Sequence, residues 1–165
     1  MLQLALVLTL FLLFSQRSGI FDAACRALGA GLVLSGLAHY LQADWYVSVM
    51  AEWIPQQRLL VQVSAGLRIL FGLALWIPVH LIRHIALLLS LLLLCMVLPV
   101  NLRIALAGDQ IAAVQDQGEL WRWLRLAGHL GWIFCIIGTL ESLRVIYNQQ
   151  KLGEPEHCGG VVARR

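Results

Sequence analysis

Residues 85–100 read IALLLSLLLLCMVLPV, and this stretch contains no charged side chain. A bilayer hydrocarbon core about 30 Å thick is crossed by about 20 helical residues. With its neighbours, the stretch predicts a membrane helix over residues 82–103. The composition points the same way, because the 165-residue chain is 60% hydrophobic and only 13% charged, whereas soluble domains average about 25% charged residues. We therefore expect an integral membrane protein.

Three further apolar segments are long enough to cross a bilayer. They cover residues 23–41, 58–79 and 121–147. Together with the first stretch they predict an all-α fold, a polytopic membrane four-helix bundle formed by a domain over residues 22–147.

Two terminal segments flank this predicted domain. Residues 1–16 are apolar but short, and we expect an additional short N-terminal helix there, as either a short membrane helix or an anchor. Whether residues 2–14 fully span the membrane stays open at this stage. Residues 148–165 predict a loose cytoplasmic tail.

The basic residues predict the orientation, since Lys and Arg favour cytoplasmic loops. With four crossings, one side collects three groups of basic residues, which include Arg17, Arg83 and Arg144. This pattern predicts a multi-pass inner-membrane protein with a cytoplasmic C-terminus and the lipid bilayer as its surroundings. The net charge of +3 is modest and sits at the ends of apolar runs, so we expect no nucleic-acid partner.

A permanent charge stands inside the second predicted helix, in the sequence SAGLRILFG of residues 64–72. Arg68 is four residues from both Ser64 and Gly72, so the three share one helix face. A charge in lipid is costly, so Arg68 must face other helices and find an anion, carbonyl groups or water. Glu141 is the carboxylate placed well inside an apolar run, and we predict that the two pair.

This predicted pair has two interpretations. It can fix the register of the helices, or it can form an anion or quinone-headgroup site. The other polar residues near one end of the helices are His39, Asn101 and His129. They predict either a polar pocket that exchanges protons with a ligand, or simple hydrogen bonds between helices.

Small residues predict which helix faces pack inside the bundle, because helices in lipid associate through close contact of small side chains. On the last helix this rule selects one face, formed by Gly128, Gly131, Cys135, Gly138 and Ser142.

No set of residues in the sequence predicts catalysis. The sequence has no phosphate-binding loop, no nucleophile with a base and an orienting group, and no metal-ligand spacing among its four cysteines. We therefore predict no catalytic residue and no metal ligand, and a chain that is not an enzyme on its own.

Four motifs together resemble the DoxX-like family of small membrane proteins, over about residues 23–146. They are RALGAGLVLSGLAHYL at 26–41, SAGLRILFGLALWI at 64–77, LPVNLRIA at 98–105 and LRLAGHLGWI at 124–133. The chain departs from that pattern at three positions. Arg68 stands where an acidic residue is common, and Ala127 and His129 replace the usual Pro and Gln.

The resemblance implies a redox setting, since some DoxX-like proteins are subunits of thiosulfate:quinone oxidoreductase. It implies an accessory subunit that interacts with a quinone and with a membrane redox protein partner. The alternative is a non-catalytic scaffold that binds other membrane proteins through its lipid-facing surface, and a transporter is a third reading.

Overall fold

Five helices make up the part of the chain that the computed structural model describes, which is Phe11 and residues 20–108, 111, 114–116 and 118–153. The helices are α1 (Ile20–Leu41), α2 (Ala43–Ser48), α3 (Gln57–Ala74), α4 (His80–Ala107) and α5 (Glu119–Gly153). Among these described residues there is no strand. The all-α class is therefore confirmed.

Three helices are long and apolar enough to cross a membrane, namely Phe21–Leu41 of α1, His80–Ala107 of α4 and Glu119–Val145 of α5. Helix α3 is not among them. It begins with Gln57 and Arg58, and these polar residues lower the hydropathy of its 18-residue length. The membrane class is supported, and the fourth crossing stays a prediction.

The four longer helices contact one another in a ring. Helix α1 packs along α3, α4 packs along α5, and contacts of α3 with α4 and of α1 with α5 complete the ring. The apolar interior is formed by large side chains from all four helices, among them Leu28, Leu32, Leu75, Leu87, Leu94, Trp132 and Ile136. The ring has a shared core, and polar groups can be enclosed within it.

Glycines bring α1 and α3 unusually close together. A Cβ atom added to Gly29 would lie 2.6 Å from the carbonyl oxygen of Gly72, and a Cβ atom on Gly72 would lie 2.6 Å from the carbonyl oxygen of Gly29. At Gly36 an added Cβ would lie 2.7 Å from the carbonyl oxygen of Ala65. The two backbones therefore touch along one face, as small residues allow in membranes.

The predicted small-residue face of α5 is wrong in its second half. Cys135, Gly138 and Ser142 are exposed, whereas Ile136 and Leu143 of the same helix are buried. Large residues of α5, Trp132, Ile136 and Leu143, lie in the buried core instead.

Both terminal segments lie largely outside the described residues. Within the predicted segment 1–16 only Phe11 is described, as a helical residue packed against the core. At the other end, α5 continues through Gly153, so the first part of the predicted tail 148–165 is helical. The rest of the tail lies outside the described residues.

An ion pair ties the start of α1 to the start of α4. Nη1 of Arg83 lies 2.5 Å from Oδ1 of Asp22, and the side chain of Arg83 is only 4% exposed. Asp22 also lies 3.8 Å from Arg26, one turn along α1. The carboxylate of Asp22 therefore lies beside two arginines, at the end of the bundle where the α3–α4 turn lies.

Candidate functional site

A cavity of about 430 Å³ lies among α1, α3, α4 and α5. Four of the five predicted site residues line it, one from each of these helices: His39, Arg68, Asn101 and His129. The sequence expectation that polar groups from different helices meet in one pocket agrees with this arrangement. The fifth predicted residue, Glu141, is not among the lining residues.

Arg68 is the central polar residue of the cavity and is only 4% exposed. Its position on α3 puts it on the same face as Ala65 and Gly72, which pack against α1. Nη1 donates a hydrogen bond of 2.7 Å to Oγ of Ser35 and lies 3.4 Å from Nδ1 of His39. Nε has no hydrogen-bond partner among the described residues. One nitrogen of the guanidinium group is thus hydrogen-bonded, and another has no hydrogen-bond partner among the described residues.

The predicted ion pair between Arg68 and Glu141 is wrong. Glu141 is exposed on the outer face of α5, and neither residue takes part in the ion pairs of the described part of the chain. The residue of α5 at the level of Arg68 is His129. Glu141 lies 12 residues further along (129 to 141), roughly 18 Å at 1.5 Å per residue.

The two histidines are each held by a backbone carbonyl group. Nδ1 of His39 lies 2.8 Å from the carbonyl oxygen of Ser35, one turn earlier on α1. Nε2 of His129 lies 2.9 Å from the carbonyl oxygen of Leu94 on α4. If these nitrogens carry the protons, as donation to a carbonyl requires, the other nitrogen of each neutral ring remains a hydrogen-bond acceptor. The backbone therefore fixes both rings at the cavity wall.

The short helix α2 covers one end of the cavity with aromatic side chains. The ring of Tyr46 stacks on His39 with centroids 3.8 Å apart, and the guanidinium carbon of Arg125 lies 4.2 Å from the ring centroid of Trp45. Burial raises the pKa of the Tyr46 hydroxyl, against the opposing effects of Arg125 and Arg68. Tyr46 is therefore a neutral phenol at pH 7 and can donate a hydrogen bond.

Apart from Gln42, the remaining wall of the cavity is apolar. It is formed by Leu32, Leu94, Val97, Val100, Ile104, Leu124, Trp121 and Trp132. A pocket with apolar walls and a few convergent polar groups is the usual form of a small-molecule site. No group of His, Cys, Asp or Glu that could hold a metal ion occurs in the described ranges. The arrangement is suited to binding a molecule with a polar head and an apolar body.

Sequence reasoning missed three contributors to this site. Ser35 lies four residues before His39, so the helical repeat places both on one face, and this signal was available. Arg125 lies in the basic and aromatic start of α5, a composition typical of anchoring at a membrane surface, and it lines the cavity. Tyr46 could not be placed, because its position depends on how the connection between α1 and α3 folds back.

The sequence matches the family described as Domain of unknown function (DUF8561) over residues 28–137, about two thirds of the 165-residue chain. All residues that line the cavity, from Leu32 to Trp132, fall inside this region. Glu141 falls outside it. No curated protein and no solved structure matches the sequence.

Proposed function

The chain belongs to the DUF8561 family, and from this premise we propose that it is a multi-pass membrane protein that binds an amphiphilic molecule in the cavity around Arg68. The observation that carries the proposal is a buried guanidinium group in a cavity of about 430 Å³ with apolar walls. Volumes of this order accommodate small ligands. A quinone, the ligand implied by the DoxX-like resemblance, belongs to this amphiphilic class.

In the proposed topology α3 is the fourth helix that crosses the membrane. Its 18 residues extend about 27 Å, close to the thickness of the hydrocarbon core. Apart from Arg58 at its start, its outward side chains are mainly apolar, including Leu59, Leu70 and Leu73, whereas Arg68 is buried in the bundle. A helix with one polar inner face can thus cross lipid without exposing its charge.

The proposed location is the inner membrane, with the C-terminus in the cytoplasm, as the basic residues favour. A reporter that is active only in the cytoplasm, fused after Arg165, is expected to be active. The same reporter inserted after Glu52, in the connection between α2 and α3, is expected to be inactive. Activity at both positions would contradict the four-crossing topology.

The proposed role is that of a ligand-holding subunit in a membrane redox system rather than a free-standing enzyme. The DoxX-like resemblance supports the redox setting. The site supports the binding role, because backbone carbonyl groups hold both histidines and much of the cavity wall is apolar. A membrane redox protein is the partner that this role requires.

Filling the cavity is expected to expel the bound molecule. Val97 lines the cavity. In Val97→Trp the indole ring would occupy the space that an apolar tail needs. Native mass spectrometry of protein extracted from membranes in mild detergent should show one amphiphile per chain in the wild type. Its occupancy should fall at least tenfold in the variant.

The matched control is Val63→Trp, on the outward face of α3, where the valine is 50% exposed. This variant is expected to keep the amphiphile, because its new ring points to the surroundings. A wild-type protein without any bound small molecule, or equal occupancy in the wild type and the Val97 variant, would contradict the proposed function.

A further inference from the structure

The charges of the cavity are all positive or neutral in the described part of the chain. Arg68 and Arg125 line it together with His39 and His129, and no Asp or Glu does. Outside the cavity, three arginines form ion pairs with carboxylates. Arg26 and Arg83 share Asp22, and Arg58 pairs with Asp44. The cavity therefore differs from the sites of Arg26, Arg58 and Arg83 in lacking an acid.

The burial of Arg68 makes this difference significant. The side chain is 4% exposed, and its described polar contacts are a serine hydroxyl and a neutral imidazole nitrogen. A buried ionised group that lacks a partner is strongly unfavourable, and a guanidinium group remains charged in proteins. The protein thus retains a buried positive charge that its own described carboxylates do not neutralise.

The guanidinium group has donor capacity left for an external oxyanion. Ser35 accepts a hydrogen bond from Nη1, while the buried Nε has no partner among the described residues. Guanidinium groups bind carboxylates and phosphates through parallel N–H donors. Arg125, whose guanidinium group stacks over Trp45, supplies a second positive charge from the far wall.

The apolar wall restricts the kind of anion. Leu94, Val97 and Trp132 face the same cavity as the arginines, so an ion without a tail would leave this surface unused. The volume of about 430 Å³ is suited to one head group with part of a single chain.

We propose that the ligand of this cavity is an amphiphile with an oxyanion head, a carboxylate or a phosphate, whose negative charge neutralises Arg68. The proposal rests on the proposed function and narrows its ligand class. A neutral quinone is excluded by it, because carbonyl oxygens accept hydrogen bonds but carry no compensating charge.

The experiment compares heads on a matched tail, with the wild-type chain in nanodiscs of a neutral glycolipid, whose head contains no phosphate or carboxylate. The probes are dodecanoate, dodecyl phosphate, dodecanol and a dodecyl benzoquinone, and inorganic phosphate represents an anion without a tail. Apparent affinities are obtained from the rise in unfolding temperature with probe concentration. We expect the two tailed anions to bind at least tenfold more tightly than dodecanol, the quinone or inorganic phosphate.

The variants assign the preference to Arg68. In Arg68→Met the advantage of the anions over dodecanol is expected to disappear, and in Arg68→Lys part of it should return, because the charge is restored without the planar donors. Arg58→Met on the same helix is the control, since Arg58 is paired with Asp44 at the surface and does not line the cavity. It should retain the full preference.

If Arg68→Met does not fold, Arg125→Met provides the second variant and should lower the anion preference at least threefold. Equal binding of dodecanol and dodecanoate by the wild type would overturn the oxyanion assignment and leave the proposed function intact. Binding of none of the probes, together with no co-purified amphiphile, would overturn both. Tight binding of inorganic phosphate, without binding of the tailed anions, would overturn the proposal that the ligand has an apolar tail. It would identify the ligand as a free anion instead.

Discussion

Gly72→Leu is expected to separate α1 from α3 and to cause the largest loss of stability among single substitutions in the bundle. A Cβ atom at this position would lie 2.6 Å from the carbonyl oxygen of Gly29 and 2.8 Å from Cγ2 of Val33. The backbone oxygen cannot move without moving α1. Overpacking costs about 1–3 kcal/mol where side chains can adjust, so we expect at least about 3 kcal/mol here, measured by titration with SDS in mixed micelles.

Gly66→Leu is the matched control on the same helix. Nothing lies within 4 Å of a Cβ atom built on Gly66, and Leu is a better helix former than Gly. The control should therefore unfold at the same or a slightly higher SDS fraction than the wild type. Equal losses for the two variants would mean that α1 and α3 do not meet through Gly72.

Asp22→Asn is the second substitution with a large expected effect. Arg83 is 3% exposed, and Nε and Nη2 of this residue have no hydrogen-bond partner among the described residues. The carboxylate of Asp22 is therefore the main compensation for a buried positive charge. Removing one partner of a buried ion pair costs about 3–5 kcal/mol. We expect the lower end of this range, because the side chain of Asp22 is 37% exposed, measured in the same titration.

Asp44→Asn provides the comparison for this prediction. Its carboxylate lies 3.5 Å from Arg58, but the two side chains are 87% and 69% exposed. Pairs of this kind contribute about 1 kcal/mol or less. If Asp44→Asn destabilises the protein as much as Asp22→Asn, the ion pair at the α3–α4 turn is not buried as described.

The four longer helices could be located from the sequence, because each lies in an apolar run bounded by polar or turn-forming residues, whereas the short α2 was not predicted. Apolar runs do not determine the ends of helices: α3 was expected over residues 58–79 and ends at Ala74, before the turn at Leu75–Ile77. The inward direction of Arg68 followed from cost alone, since a charge is not stable against lipid.

The partner of Arg68 could not be derived in the same way. Two residues on different helices lie at the same level only if the connections have the right lengths and the helices the right tilt. The spacing of residues along one helix predicts neither. The search for a carboxylate led to Glu141, whereas the structure places Ser35 and His39 beside the guanidinium group. The sequence analysis had left an anion site open as the second interpretation of Arg68, and that interpretation needs no carboxylate from the chain itself.

The glycines of α1 and those of α5 show that small residues are used for close packing on one helix and not on the other. Gly29 and Gly36 meet the backbone of α3, so their lack of a side chain is used in packing. Gly138 has nothing within 4 Å of an added Cβ atom. Small residues allow close approach but do not require it, and on α5 the large residues fill the contact instead.

The most direct test of the account is an experimental density map of the wild-type protein purified from its membrane into nanodiscs, at a resolution that shows side chains. We predict non-protein density in the cavity, with an oxyanion head about 3 Å from the Arg68 guanidinium group and a tail along Leu94, Val97 and Trp132. A protein carboxylate paired with Arg68, or a cavity occupied by the tail of a neutral lipid with its head elsewhere, would contradict it.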